Sequence, residues 1–362
     1  MPRSGLGVLR RALAYALVTW VPIAVWVALA GRAVSGAVDE PLLQHFGVTV
    51  RCLVAIPLLV LAEGMAQATL YRLLPQFVRA GVVTDVTAFV KTLEGVKRLR
   101  DRTLPWVVIF AVALAWTVLA PDTHQGHDLR WAEDAAHSRG VGFGGWWYLY
   151  VARPIYLTLA LAWLWRILLG FVLFKRIAAL PLSLVPTHPD RLGGLGFLES
   201  VPVAFALVIL ALSAVFAAGW GHNVMYHGMN VSDLKVPVAA FVVLIAVVVL
   251  APLAVFGGPL RRTKRAALLD YGALVAEHGR IVHRRWIEKK PVVDDALMSA
   301  PEIGPVADVQ AIYEAVQKMR PLPIGKSTLL AVLVPALIPV LVVVSIQVPI
   351  GQMLLQVLKA LS

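Results

Sequence analysis

Apolar runs of 18 residues or more recur along the chain, each long enough to cross a bilayer as a helix. In hydrocarbon every backbone N–H and C=O must be satisfied within the protein, so such runs are read as helices. Seven are expected, at roughly 12–30, 49–70, 104–120, 147–174, 201–220, 236–256 and 328–348. At about 1.5 Å of rise per residue, about 20 residues cover a core of about 30 Å. The fourth is the longest, and is expected to tilt or to begin as an interfacial segment broken at Arg153-Pro154. The seventh carries Pro335, Pro339 and Pro349, which predicts a kink and a separate short helix in the tail.

Composition agrees with this reading. The chain is 59% hydrophobic and 15% charged, against about 45–50% and about 25% in soluble globules. An ordinary soluble domain and a disordered chain are both excluded. Cys52 is the single cysteine, which rules out an intrachain disulfide and a cysteine-based metal cluster. The expected fold is all-α, a polytopic bundle of about seven spans. Residues 1–256 form a six-span region with a cytoplasmic helical insertion at 72–103, 257–327 a cytoplasmic helical segment, and 328–362 the seventh span and its tail.

The orientation follows from Lys and Arg. With the N-terminus inside, the cytoplasmic segments hold 25 of the 33 basic residues, and the outer loops hold only Arg32, Arg130, Arg139 and Lys235 against seven acids. This predicts N-in and C-out. The formal charge of +12 is therefore mainly a topology signal, and nucleic acid is not an expected partner. The first residues carry the parts of a signal peptide, with Arg3, Arg10, Arg11 and an Ala28-Leu29-Ala30 step, but the apolar run is longer than usual and is expected to stay as the first span.

Two cytoplasmic segments are substantial. Over 83–102, apolar residues fall at helical spacing while Lys91, Lys97, Arg98 and Arg100 crowd the other faces; the second segment opens with Arg261, Arg262, Lys264 and Arg265. Both are expected to lie against anionic lipid of the inner leaflet, with a partner-binding or gating helix as the sharper alternative for the first; a cytoplasmic protein partner and a homo-oligomer are the other partners considered. Each also connects to its next span through a Leu-Pro step, Leu104-Pro105 and Leu322-Pro323, a loose echo of an internal repeat. The outer loops hold six of the nine histidines, and His222, Met225, His227 and Met229 form a weak set of metal candidates. No strict ligand spacing recurs, and neither a metal nor a cofactor is expected.

Ionisable residues inside spans are costly and mark function by default. Glu63 in the second span and Arg166 in the fourth lie deepest; both spans run inward, and Arg51 precedes Glu63 as Arg153 precedes Arg166 at nearly equal spacing. The depths match, which predicts a Glu63–Arg166 ion pair, read either as a structural lock or as a coupling site. Arg51 and Arg153 lack an acid at their own depth, and either reach head groups or face an anion-favouring cavity.

The most distinctive local stretch is Thr187-His188-Pro189-Asp190-Arg191-Leu192-Gly193-Gly194-Leu195-Gly196-Phe197, between the fourth and fifth spans. Gly193, Gly194 and Gly196 permit positive φ and close approach, and their N–H groups with His188, Asp190 and Arg191 make a candidate phosphate-holding loop; the alternative is a tight re-entry turn. This loop resembles that of a group of bacterial multipass inner-membrane proteins of uncharacterised function. The resemblance implies a bacterial inner-membrane location and the helical fold class, and carries no activity.

Other motifs fail. Gly325-Lys326-Ser327 looks like the end of a P-loop, but Arg320 stands where the first glycine is required. His-Pro-Asp without a soluble helical hairpin is not a co-chaperone signature, and no catalytic triad or paired carboxylates stand out. The expected function is a channel or transporter-like protein for an anionic solute. The alternatives are a membrane scaffold or sensor acting through its basic helices, and a lipid-modifying enzyme built on the His188–Gly196 loop.

Overall fold

The structure is a computed structural model and describes residues 5–31, 42, 45–119, 130–132, 142–290 and 304–347. Ten helices account for most of these residues: α1 (Gly5–Leu29), α2 (Phe46–Arg79), α3 (Val86–Arg100), α4 (Thr103–Leu119), α5 (Phe143–Ala178), α6 (Gly196–Tyr226), α7 (Val231–Ala254), α8 (Gly257–Val282), α9 (Gly304–Gln317) and α10 (Lys326–Gln347). The fold is all-α. Helices α1, α2, α5, α6, α7 and α10 are long and apolar enough to cross a membrane, and the chain is a multi-pass membrane protein. The expected span at 104–120 is a shorter apolar helix: α4 has 17 residues, about 26 Å, and the described chain stops at its end. The tail after Pro349 and most of the outer loop 121–141 lie outside the described residues. Below, the two ends of the bundle are named cytoplasmic and outer after the charge distribution.

Helix α2 packs between α1, α5 and α6, and α10 returns into the bundle along α6. Pro335 and Pro339 fall inside α10, and the Ser213 hydroxyl of α6 donates to the Ala336 carbonyl between them at 2.5 Å, tying α6 to α10. The cytoplasmic end is closed by one large apolar cluster. Phe77 of α2, Phe174 of α5 and Phe256 after α7 meet there, with centroids 5.6–6.5 Å apart, and Phe89 of α3 joins them.

Helices α2 and α5 share an uncommon construction. Each starts with one α-helical stretch, Phe46–Val50 and Phe143–Trp147, opens into a π turn, Arg51–Ala55 and Tyr148–Ala152, and then resumes as α-helix at a proline, Pro57 and Pro154. The cause is local. A proline ring presses on the carbonyl four residues back and offers no N–H to it, and widening the preceding turn lets Ile56 and Arg153 donate to the carbonyls of Arg51 and Tyr148 instead. The two segments match in one constant register: Phe46-Gly47 with Phe143-Gly144, Val54-Ala55 with Val151-Ala152, Pro57 with Pro154, and Phe77 with Phe174. Equivalent positions touch at both ends, Arg51 against Tyr148 and Phe77 against Phe174. The two helices therefore run side by side as parallel copies of one element.

Candidate functional site

Glu63 lies midway along α2 and is the one acid in the middle of a described spanning helix; Glu199 and Asp233 sit at helix ends. The structure brings it into direct contact with Arg166 of α5. A second base, Arg11 of α1, stands 3.5 Å from the other carboxylate oxygen. Three helices thus converge on one carboxylate, whose side chain is 19% exposed against 32% for Arg166 and 39% for Arg11. The Arg166 guanidinium lies 4.8 Å over the Trp163 ring, and that indole donates to the Leu59 carbonyl of α2 at 2.9 Å. The α2–α5 seam is thereby fixed just above the ion pair. Arg166 Nη1 is buried without a hydrogen-bond partner among the described residues.

Arg11 was not part of the sequence expectation, which places it in the cytoplasmic flank. Helix α1 already begins at Gly5, and Val8 and Ala12 pack on Val60 of α2, so Arg11 is carried to the level of Glu63. The cluster consequently holds two bases against one acid.

Near the outer end, Arg51 packs against α5. Its guanidinium carbon is 5.7 Å from the Tyr148 ring and 5.5 Å from the Tyr156 ring, and both tyrosines are buried. An arginine at mid-helix costs about 2.5–3.5 kcal/mol, and a desolvated cation–π contact returns about 2 kcal/mol. Two rings can hold the charge, but they give its N–H groups no acceptor: Nε is buried without a partner. Arg153 occupies the start of the second α-helical stretch of α5, half-buried. The four embedded charges do not share one locus, because Arg51 and Glu63 are separated by about 18 Å of helix.

The glycine stretch reads either as a phosphate-holding loop or as a tight re-entry turn, and its N–H groups have a partner within the loop. Arg191, Gly193 and Gly194 adopt positive φ, and the N–H groups they redirect converge on the chain's own Asp190. Its carboxylate accepts from Leu192 at 2.7 Å, Gly194 at 3.1 Å and Gly196 at 2.8 Å, with the His188 ring 2.8 Å away. The anion position is thus filled internally: the nest is satisfied by a carboxylate held within it. Partial burial pushes the Asp190 carboxyl up, but the N–H groups of Leu192, Gly196 and Gly194 and the His188 ring outweigh it, and the group is held below its ordinary value. A Cβ on Gly196 would stand 2.8 Å from that of Asp190. Leu192, Leu195 and Leu198 point from the loop into the cytoplasmic cluster, fully buried.

Two residues that sequence reasoning missed clamp this loop. Arg320, after α9, donates through Nη1 to Glu199 at 2.6 Å and through its backbone N–H to the Arg191 carbonyl at 2.7 Å. Gly325 lies so close that a Cβ would fall 2.4 Å from Glu199 Oε1, and its N–H donates to Thr328 Oγ1 at 3.2 Å. Thr328 therefore caps the start of α10, with the Gly-Lys-Ser stretch forming its first turn.

Among the basic residues expected to face lipid, Lys91, Lys97, Arg98, Arg100, Arg261, Arg262 and Arg265 are exposed. Lys264 is not one of them in effect: its Nζ donates to the carbonyls of Gln317 at 2.8 Å and Met319 at 2.6 Å, closing the C-terminus of α9.

At the outer end, the His222 ring stacks on His45 at 5.0 Å and meets His227 at 5.2 Å. Met225 is exposed and Met229 packs beside Val224, Leu234 and Val343, so neither joins the histidines. Among the described residues no group of three or more His, Cys, Asp or Glu side chains is arranged to hold a metal ion. Comparison of the chain with protein-family models, with curated proteins and with solved structures gives no match.

Proposed function

We propose that this multi-pass protein translocates an anionic solute across the bacterial inner membrane, with Glu63 as the exchangeable element of the path. The observation that supports this is the single carboxylate set between Arg166 and Arg11, each from a different helix. Buried ion pairs are poor stabilisers, since desolvation offsets most of their attraction, whereas one acid shared by two bases leaves a net positive charge in the middle of the bundle. An entering anion competes with Glu63 for either guanidinium, and release returns the carboxylate. The contacts to the two arginines are unequal, tight to Arg166 through one carboxylate oxygen and longer to Arg11 through the other.

Full-length protein in proteoliposomes, loaded with chloride, nitrate, phosphate or a small carboxylate, tests this reading. Flux of at least one anion is expected, and Glu63→Gln is expected to change its rate by tenfold or more while Lys97→Gln leaves it unaltered. Absence of flux for every anion under both pH and voltage gradients, with folded protein in the vesicles, would overturn it.

A further inference from the structure

Among the described residues, the outer third of the bundle buries several hydrogen-bond donors that have no acceptor. Trp20 Nε1 of α1, Thr49 Oγ1 and Arg51 Nε of α2, and both ring nitrogens of His222 on α6 are buried without a hydrogen-bond partner among the described residues. Trp20 packs against the cluster that holds Val48, Cys52, Tyr148 and Ala152, and α6 packs directly on the first turns and π turn of α2. An indole and a guanidinium can only donate, and a hydroxyl and an imidazole each bring at least one donor. Buried polar groups in proteins are otherwise nearly always paired. A described carboxylate that could answer Arg51 is absent from this layer, the nearest on α2 being Glu63.

The position of Arg51 argues against simple extension to the surface. Tyr148 and Tyr156 are eight residues apart on α5, about 12 Å along the helix axis, and the guanidinium is almost equidistant from their rings. It therefore lies against the flank of α5, level with the π turn, with its edge unclaimed. Arg51 and Tyr148 are the first residues of the two matching π turns, and π turns are frequent at functional sites.

We propose that Arg51, held between Tyr148 and Tyr156 where α2 and α5 both open into π turns, anchors an oxyanion-binding site at the outer end of the bundle. A planar guanidinium with a free edge pairs with two oxygens of a tetrahedral or planar oxyanion. The chemistry is that of phosphate or sulfate, whether free in solution or at a phospholipid head group. Binding at this site is read without flux, so it stands or falls apart from the transport reading.

The experiment uses the full chain, delipidated in a non-ionic detergent and in nanodiscs. If the anion is free, inorganic phosphate or sulfate at millimolar concentration raises the melting midpoint of the delipidated protein. Arg51→Gln abolishes that rise, Arg51→Lys weakens apparent affinity tenfold or more, and Lys97→Gln leaves it unchanged. If the anion is a lipid, free phosphate has no effect, and native mass spectrometry shows a phospholipid retained by the wild type and lost from Arg51→Gln. Should Arg51→Gln fail to fold, Arg51→Lys and Thr49→Val carry the same comparison. Equal behaviour of wild type and variants toward both phosphate and phospholipid would overturn the proposal.

Discussion

The Asp190 carboxylate does for its loop what a bound anion does for a phosphate-binding nest. Three N–H donors converge on it, and the left-handed residues Arg191, Gly193 and Gly194 exist to aim them. Removing the carboxylate leaves those donors partly buried and unanswered, so Asp190→Ala is expected to cost about 2–3 kcal/mol, with Asp190→Asn between it and the wild type because one carbonyl acceptor remains. The carboxyl is held below its ordinary value in the fold, so its contribution is fully present above the unfolded pKa of about 3.9. It is lost as pH falls through the lower folded value. Thermal melts of purified protein should therefore show a gap between wild type and Asp190→Ala that is constant at neutral pH and narrows below about pH 4. A gap that does not change with acidification would count against this account of the loop. Nothing in the stretch itself distinguished a loop that binds an anion from one that supplies it, because both need the same glycines. Only the path of the backbone decides.

At the scale of elements, the same limit separates what was legible from what was not. The break at Arg153-Pro154 was readable from proline chemistry alone, and the structure gives it the form of a π turn. Its twin at Pro57 was in the sequence too, but it is hidden inside an unbroken apolar run, where periodicity carries no mark of one extra residue. Lys264 is the converse case. In a run of four bases it reads as a lipid-facing charge, yet it faces α9 and caps it, a cation on terminal carbonyls where the helix dipole favours it. Lys264→Ala should loosen the end of α9 by about 1–2 kcal/mol, whereas Arg261→Ala and Arg265→Ala, both exposed, should not. Limited trypsin digestion reads the difference at Lys318, which becomes an early cleavage site only in the Lys264 variant. Equal protection in all three would show that the cap does not hold α9 in place.

For the whole molecule, depth in the membrane is the quantity that joins sequence to site. The Glu63–Arg166 contact was readable because both helices were expected to run the same way, so counting from Arg51 and Arg153 compares depths directly. Arg11 escaped because its depth is set by where α1 packs on Val60, which no count along α1 reveals. That bookkeeping rests on orientation, and orientation rests on the asymmetry of charge: the sequence assigns 25 of the 33 bases to cytoplasmic segments and only four to the outer loops, and moving Arg11 into the bundle leaves the asymmetry intact. At such a ratio the basic loops are expected to stay in the cytoplasm. The native Cys52 is fully buried, so an introduced cysteine can be read alone. Ser232, exposed in the first turn of α7, and Ser183, exposed between α5 and α6, lie at opposite ends of the bundle. Ser232→Cys is expected to react with a membrane-impermeant maleimide in intact cells, and Ser183→Cys only after permeabilisation. The reverse pattern would invert the bundle, moving Arg51 and its donor layer to the cytoplasmic end and the Asp190 loop to the outer face. Equal labelling of both sites in intact cells would leave α5, α6 and α7 without an alternating path through the membrane. The mid-bundle position of Glu63 along α2 would survive inversion, so this measurement decides from which side an anion first meets Arg51 and from which side Glu63.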